Sequence, residues 1–130
     1  MICCKRVYDP QEVADGQRVL VDRLWPRNVR KEQLKALWLP DVAPSTALRQ
    51  AFHKGEMDFV GFTERYRQQL TAYPEHWWPL LGMAAKGDLT LLYAGKDTLH
   101  NNAVVLAQWL EDELDRQGPP SSPVCYADER

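Results

Sequence analysis

The sequence predicts a small α/β domain of three layers, in which a short, largely parallel sheet is covered by helices on both faces. The apolar run Leu89–Ala94 is the first reason, because a strand that is apolar at nearly every position has both faces buried. Helical periodicity after this run is the second, since a buried strand followed by a helix favours α/β layering. The 130 residues, 45% of them hydrophobic, suffice for one domain. We expect it to span residues 1–117, followed by a Pro/Ser-rich tail over 118–130.

Two further strands are predicted near the N-terminus. Residues 2–7 have the apolar content of a strand and stop at the turn signal Asp9-Pro10. Residues 18–22 form the next strand around the apolar run Val19-Leu20-Val21, and Pro26 ends regular structure after it. The sheet should therefore contain three or four strands.

Helical spacing and capping residues predict five helices. Ser45 is a suitable N-cap, because its hydroxyl can accept a hydrogen bond from a free N–H of the first turn. Gly87 is expected to end the fourth helix. The predicted helices span residues 31–37, 46–52, 58–70, 75–86 and 101–116.

Composition excludes several classes of protein. No window of 18 apolar residues exists, so we expect no membrane span. The N-terminus lacks the residue order of a signal peptide, which favours a cytoplasmic protein. A net charge of −2 gives no overall nucleic-acid signature. Three cysteines, two of them adjacent, do not form a disulfide framework.

Charged residues follow two of the predicted strands at the point where each strand ends. Asp22 and Arg23 come directly after the second strand. Lys96 and Asp97 follow the last strand, with His100 three residues further on. Ligands of open α/β sheets bind beyond the carboxyl ends of the strands. If these two strands are parallel neighbours, the five side chains share one edge with the N-terminus of the final helix.

Residue chemistry suggests roles at this edge. Guanidinium groups suit phosphate or carboxylate, a tryptophan can stack on a ring, and a helix N-terminus favours an anion. We predict that the ligand-binding residues are Arg23, Trp25, Arg27, Lys96 and Asn101. The groups able to move protons are Asp22, Asp97 and His100, and the histidine is the best general acid or base because its ordinary pKa is near neutrality.

Each assignment has a structural alternative, and the sequence leaves both open. The alternatives are a helix cap for Asp97 or Asn101, an ion pair with Asp22, Asp41 or Asp97 for Arg23 and Arg27, a place in the core or as half-buried cover for Trp25 and Trp38, and a surface position for His100.

No motif identifies a reaction or a cofactor. The histidines and cysteines lack metal-ligand spacing, so no metal site is predicted. The glycine-rich dinucleotide and phosphate loops and the G-x-S-x-G nucleophile motif are also missing from the sequence. The cofactor is therefore unknown.

Several blocks resemble the DUF488 family, in its YeaO-like branch. The most specific is Val19–Arg27, which reads V-L-V-D-R-L-W-P-R. The resemblance covers about residues 5–110 and includes Arg6–Asp9, Trp38-Leu39, Ala43–Ser45, Leu48-Arg49, Phe62, Arg65-Tyr66, Leu70, Leu89–Asp97 and His100–Leu106. It implies a compact α/β domain and brings no settled activity.

The chain departs from the family pattern at two glycine-related positions. Asn28 stands where members usually have glycine after the W-P-R block, and asparagine tolerates a left-handed backbone. We expect the turn to be kept there. Gly95 stands where alanine is common, which should loosen the turn after the last strand.

The functional prediction is a pocket for an anionic small molecule that carries a phosphate or a nucleotide. Such a protein would be a hydrolase or transferase if it is an enzyme, because no redox motif is present. The alternative is a non-catalytic module that binds nucleic acid or another protein, although the net charge disfavours nucleic acid. The oligomeric state is unknown.

Overall fold

Four parallel strands form one sheet within residues 1–117. The structure is a computed structural model that describes residues 1–117, and the predicted tail lies outside these residues. The strands are β1 (Ile2–Arg6), β2 (Gln17–Leu20), β3 (Leu37–Trp38) and β4 (Leu89–Tyr93), in the spatial order β1-β4-β2-β3. Every pair is parallel. The predicted α/β class is confirmed.

Five α-helices accompany the sheet: α1 (Lys31–Leu34), α2 (Thr46–His53), α3 (Phe59–Ala72), α4 (Pro74–Lys86) and α5 (Asn102–Gln117). Two 3₁₀ turns cover Val13–Asp15 and Pro40–Val42. The Ser45 hydroxyl accepts from Leu48 N–H at 3.2 Å, so this residue caps α2 as predicted. None of the helices within residues 1–117 is long and apolar enough to cross a membrane.

The first helix is shorter than the sequence predicted. It ends at Leu34, because Lys35 adopts a left-handed conformation with φ 51°. Leu37 and Trp38 then pair with Val19 and Leu20 as the edge strand β3. The helix predicted over 31–37 is therefore wrong in its last turn, and β3 was not predicted.

The two faces of the sheet are covered very differently. Helices α2 to α5 pack on one face, where Val19, Leu91 and Tyr93 are buried among residues of those helices. The other face is covered by α1 and the loop before it, which pack around Leu20 and Leu92. Successive residues of β4 and the pair Val19-Leu20 of β2 thus face two different cores, which explains why β4 is apolar at nearly every position.

Candidate functional site

A cavity of about 750 Å³ lies at the carboxyl ends of β2 and β4. The two strands are parallel neighbours, with Val19 beside Leu91 and Leu20 beside Leu92, so the segments that follow them meet. The structure places all eight predicted site residues on the wall of this cavity: Asp22, Arg23, Trp25, Arg27, Lys96, Asp97, His100 and Asn101. Their catalytic and binding roles stay predictions.

Asp22 joins the ends of the two strands. Its Oδ2 accepts the N–H of Ala94 at 2.9 Å, and its Oδ1 accepts from Asn102 Nδ2 at 3.1 Å. Burial raises the pKa of Asp22, and the two hydrogen bonds and the charges of Arg49 and His53 oppose that rise. The Asp22 carboxylate thus connects the ends of β2 and β4 by hydrogen bonds, and it is also a partly desolvated group on the cavity wall.

Arg23 is held by main-chain carbonyls and not by an acid. Its Nε and Nη2 donate to Pro44 O and Ala43 O, each at 3.2 Å. No carboxylate lies within 4 Å of its guanidinium in the described part of the chain, so the ion-pair alternative is wrong for this residue. The contact fixes the start of α2 against the end of β2 and leaves the positive charge uncompensated.

Two tryptophans shape the loop after β2. Trp25 Nε1 donates to Val29 O at 2.6 Å, and Trp38 Nε1 donates to Asp22 O at 2.9 Å. Their rings meet edge to face, with centroids 5.4 Å apart. Trp25 lines the cavity and also packs on the core around Leu20 and Leu92, whereas Trp38 holds the main-chain carbonyl of Asp22. The alternative of half-buried cover thus describes part of what Trp25 does, whereas Trp38 is exposed and belongs to neither core.

Asp97 organises the loop between β4 and α5. Its Oδ1 accepts the N–H groups of Leu99 and His100, both at 2.9 Å, and its Oδ2 lies 3.1 Å from His100 Nδ1. These hydrogen bonds, that from the His100 N–H foremost, hold the pKa of Asp97 below its usual range. The His100 ring also meets Phe59 edge to face, at 4.9 Å between centroids.

Asn101 is the N-cap of α5. Its Oδ1 accepts from Val104 N–H and its Nδ2 donates to Asp97 O, both at 2.9 Å. The side chain is buried, and both of its ends are used within the protein. The capping alternative therefore describes this residue, while Asp97 caps the turn before it.

Arg27 and Lys96 are the exposed cations of the cavity. Neither side chain has a carboxylate within 4 Å among residues 1–117. The main chain near Arg27 is fixed, because the Tyr8 hydroxyl donates to Arg27 O at 3.1 Å. Asn28, next along the chain, has φ 62°, so asparagine does keep the left-handed turn here.

Several cavity residues were not predicted as site residues, among them Arg49, Phe52, His53 and Asn102. Arg49 is the most notable, since its Nε is buried and has no hydrogen-bond partner within residues 1–117. Its place in the Leu48-Arg49 block of the family resemblance is the one signal that could have found it. Helical periodicity could not have identified Arg49. It shows that a residue lies on the polar face of α2, but it does not show which other parts of the chain that face contacts.

The cavity is electropositive, although the whole chain carries a net charge of −2. Arg23, Arg27, Arg49 and Lys96 face Asp22 and Asp97, which gives four positive and two negative side chains. Aromatic rings, among them Phe52 and Phe62, supply apolar wall. No group of three or more His, Cys, Asp or Glu residues able to hold a metal occurs in the described range 1–117.

Fold and site together define a small α/β domain with a cationic cavity at the carboxyl edge of a parallel sheet. The chain belongs to the DUF488 family. A family model described as "Inactive DUF488-N3 subclade" matches residues 1–127. The resemblance found in the sequence is thereby confirmed.

Relatives of known sequence support this assignment. The chain is 50% identical over 111 residues to "Uncharacterized protein YeaO" of Escherichia coli (strain K12), covering 84% of this chain and 96% of that protein. It is 38% identical over 109 residues to "Uncharacterized protein Rv3073c" of Mycobacterium tuberculosis (strain ATCC 25618 / H37Rv), covering 81% of this chain and 89% of that protein. "Uncharacterized protein Mb3100c" of Mycobacterium bovis matches to the same extent. No solved structure matches the chain significantly.

Proposed function

We propose that this protein binds a small anionic molecule, of the phosphate- or nucleotide-bearing class, in the cavity at the ends of β2 and β4. The observation that carries the proposal is the charge of the cavity. Four cationic side chains line a space of about 750 Å³, and the two carboxylates beside them already hold main-chain N–H groups. A space of this size accommodates a nucleotide-sized ligand.

The wall of the cavity suits a ligand with two unlike parts. Arg27 and Lys96 offer charge without a carboxylate partner, and they are the residues most available to an anion. Trp25, Phe52 and Phe62 offer apolar surface to a ring. A free phosphate ion would use the first part alone, whereas a nucleotide would use both.

Binding without turnover fits the carboxylates better than catalysis does. Asp22 and Asp97 both accept hydrogen bonds from the backbone of the loop after β4. A general acid or base must exchange its proton with a substrate, and these contacts oppose it. The description of the matching family model as inactive supports the same choice.

A hydrolase or transferase acting at a phosphorylated or glycosidic centre is the second candidate. One observation favours it, namely that burial raises the pKa of Asp22 on the cavity wall. Incubating the protein with nucleoside 5′-monophosphates and following products by chromatography distinguishes the two. We expect no product. Turnover in the wild type that is lost in Asp22→Asn would favour a catalytic function over binding alone.

Calorimetric titration tests the binding itself. The probes are phenyl phosphate and the 5′-monophosphates of adenosine, guanosine, cytidine and uridine, with phenol and the four nucleosides as uncharged controls. We expect at least one anion to bind and its uncharged counterpart to bind at least tenfold more weakly. The double variant Arg27→Gln/Lys96→Gln should lower the affinity for the anion about tenfold or more, since it removes two cations from the cavity wall.

A matched double variant controls for net charge. Arg65 and Lys86 are exposed cations outside the cavity, so Arg65→Gln/Lys86→Gln changes the net charge equally. It should leave the affinity within about twofold, because exposed charges at a distance are screened by salt. Equal losses in both double variants, or no binding of any probe, would contradict the proposal.

A further inference from the structure

Arg49 is a cation whose protein contacts are incomplete. Its Nε is buried and has no acceptor, and no carboxylate lies within 4 Å of its guanidinium, in both cases among residues 1–117. Arg49 as a whole is half-buried, but a buried polar atom without a hydrogen-bond partner costs free energy. The residue lines the cavity, where a bound anion would supply the acceptor that Nε lacks and a negative charge within ion-pair distance.

Asp22 lines the same cavity, where burial raises its pKa and the charge of Arg49 opposes that rise, and its carboxylate keeps acceptor capacity. Each of its oxygens accepts one hydrogen bond from the protein, from Ala94 N–H and from Asn102 Nδ2. A carboxylate oxygen has two lone pairs, so each can accept a second hydrogen bond. An anion beside Arg49 would therefore meet a carboxylate that can still accept but cannot, while ionised, donate.

We propose that Arg49 and Asp22 select a phosphate group that carries a proton and reject a fully ionised sulfate. This inference rests on the proposed binding function and specifies its ligand. Arg49 binds the anionic oxygens, and Asp22 accepts the hydrogen bond of the P–OH group. Both residues are specificity determinants of the cavity.

The chemistry of the two anions makes the selection sharp. A phosphate monoester has its second pKa near 6, so at pH 6.0 about half of it carries one P–OH donor. A sulfate monoester has the same shape and only acceptor oxygens. In the cavity a sulfate oxygen would face the Asp22 carboxylate, acceptor against acceptor. A site built to hydrogen-bond a donor strongly rejects an analogue that lacks it.

Phenyl phosphate and phenyl sulfate form the matched pair of probes. We expect calorimetric titration at pH 6.0 to give an affinity for phenyl phosphate at least about tenfold above that for phenyl sulfate. Equal affinities for the two esters would overturn the selection and leave anion binding intact. Failure of both esters and of every nucleotide to bind would overturn the proposed function and this inference together.

Variants assign the selection to its residues. Asp22→Asn should bring the phosphate-to-sulfate ratio close to one, because the amide can donate to either ester. Arg49→Lys should lower the affinity for both esters and keep the phosphate-to-sulfate ratio above one. Arg65→Lys, at an exposed position, is the control. A ratio that Asp22→Asn leaves unchanged would contradict the role of Asp22. Since Asp22 also supports the loop after β4, the wild-type ratio, which requires no variant, decides the main point.

Discussion

Asp22 Oδ2 accepts the backbone N–H of Ala94 at 2.9 Å, across the carboxyl ends of two neighbouring parallel strands. The ladder between β2 and β4 continues just before this contact, through Val21 N–H to Leu92 O at 3.1 Å. The side chain of Asp22 thus extends the ladder by one hydrogen bond beyond Val21. The position of the loop after β4, and hence the shape of the cavity, depends on this carboxylate.

Truncating Asp22 should destabilise the protein. Asp22→Ala leaves Ala94 N–H without its acceptor and removes one of the two acceptors of Asn102 Nδ2, the other being Val21 O, and we expect the free energy of unfolding to fall by about 1–3 kcal/mol. Asp22→Asn should cost less, since the amide oxygen still accepts from Ala94. Urea denaturation measures both. Asp115→Ala, at an exposed position, should change stability by no more than about 0.5 kcal/mol, and an equal effect of both alanine variants would contradict the role of Asp22.

Replacing Lys35 by glycine should stabilise the protein. Lys35 follows α1 with φ 51°, a conformation that costs a residue with a side chain about 1–2 kcal/mol and glycine almost nothing. After the backbone entropy of glycine is deducted, we expect a gain of about 0.5–1 kcal/mol in urea denaturation. Lys54 follows α2 with φ −80° and is the matched control, because Lys54→Gly should lower stability instead. A loss of stability in both variants would refute the argument.

Asp15 should contribute to stability at neutral pH and lose that contribution in acid. Burial acts to raise its pKa, but the Glu12 N–H, Lys5 and Arg18 together hold the pKa below its usual range. A depressed folded-state pKa means stability that is present above the unfolded-state value, about 3.9, and is lost as pH falls through the folded-state value.

Comparison of wild type with Asp15→Asn measures this contribution. Between about pH 5 and pH 2, the free energy of unfolding should fall further in the wild type than in the variant. Asp115→Asn should keep the wild-type slope. Parallel pH profiles for the wild type and Asp15→Asn would show that Asp15 makes no such contribution.

Cys4 should react slowly with thiol reagents. The pKa of its thiol is raised from 9.0 to about 11, mainly by burial. At pH 8 the reactive thiolate is therefore about a hundredfold rarer than in a thiol of pKa 9.0. Cys3, the next residue, is exposed on the other face of β1. Iodoacetamide labelling of Cys3→Ser/Cys125→Ser and Cys4→Ser/Cys125→Ser compares the two. We expect much slower labelling of Cys4 in the folded protein and equal rates in urea, and equal rates without urea would contradict the prediction.

Much of the sheet could be predicted because a short apolar run is a local signal. The run around Leu91 identified β4, and the apolar run Val19–Val21 identified β2, although the predicted strand over 18–22 extends two residues beyond its observed end at Leu20. The edge strand β3 could not be predicted in this way, because two residues show no periodicity. Its pairing depends on Val19 and Leu20, which are distant in sequence.

The candidate site was located from the same strand ends, but its internal contacts were not predicted. Arg23 was predicted to bind a ligand, with an ion pair as the alternative, whereas its guanidinium donates to the carbonyls of Ala43 and Pro44. A main-chain acceptor leaves no trace in the residue types of a sequence. Arg49 was missed for a related reason, since its position follows from how α2 packs on the sheet.

The walls of the cavity come from parts of the chain that are distant in sequence, as the contacts of Asp22 with Ala94 and Asn102 show. No fragment of the domain can assemble such a site by itself. Occupancy and cooperative folding must then be thermodynamically linked, by about 2.7 kcal/mol when the ligand is present at one hundred times its Kd. A gain in resistance to proteolysis or to heat would therefore reveal binding of the proposed ligand from a metabolite mixture before the chemistry of that ligand is known.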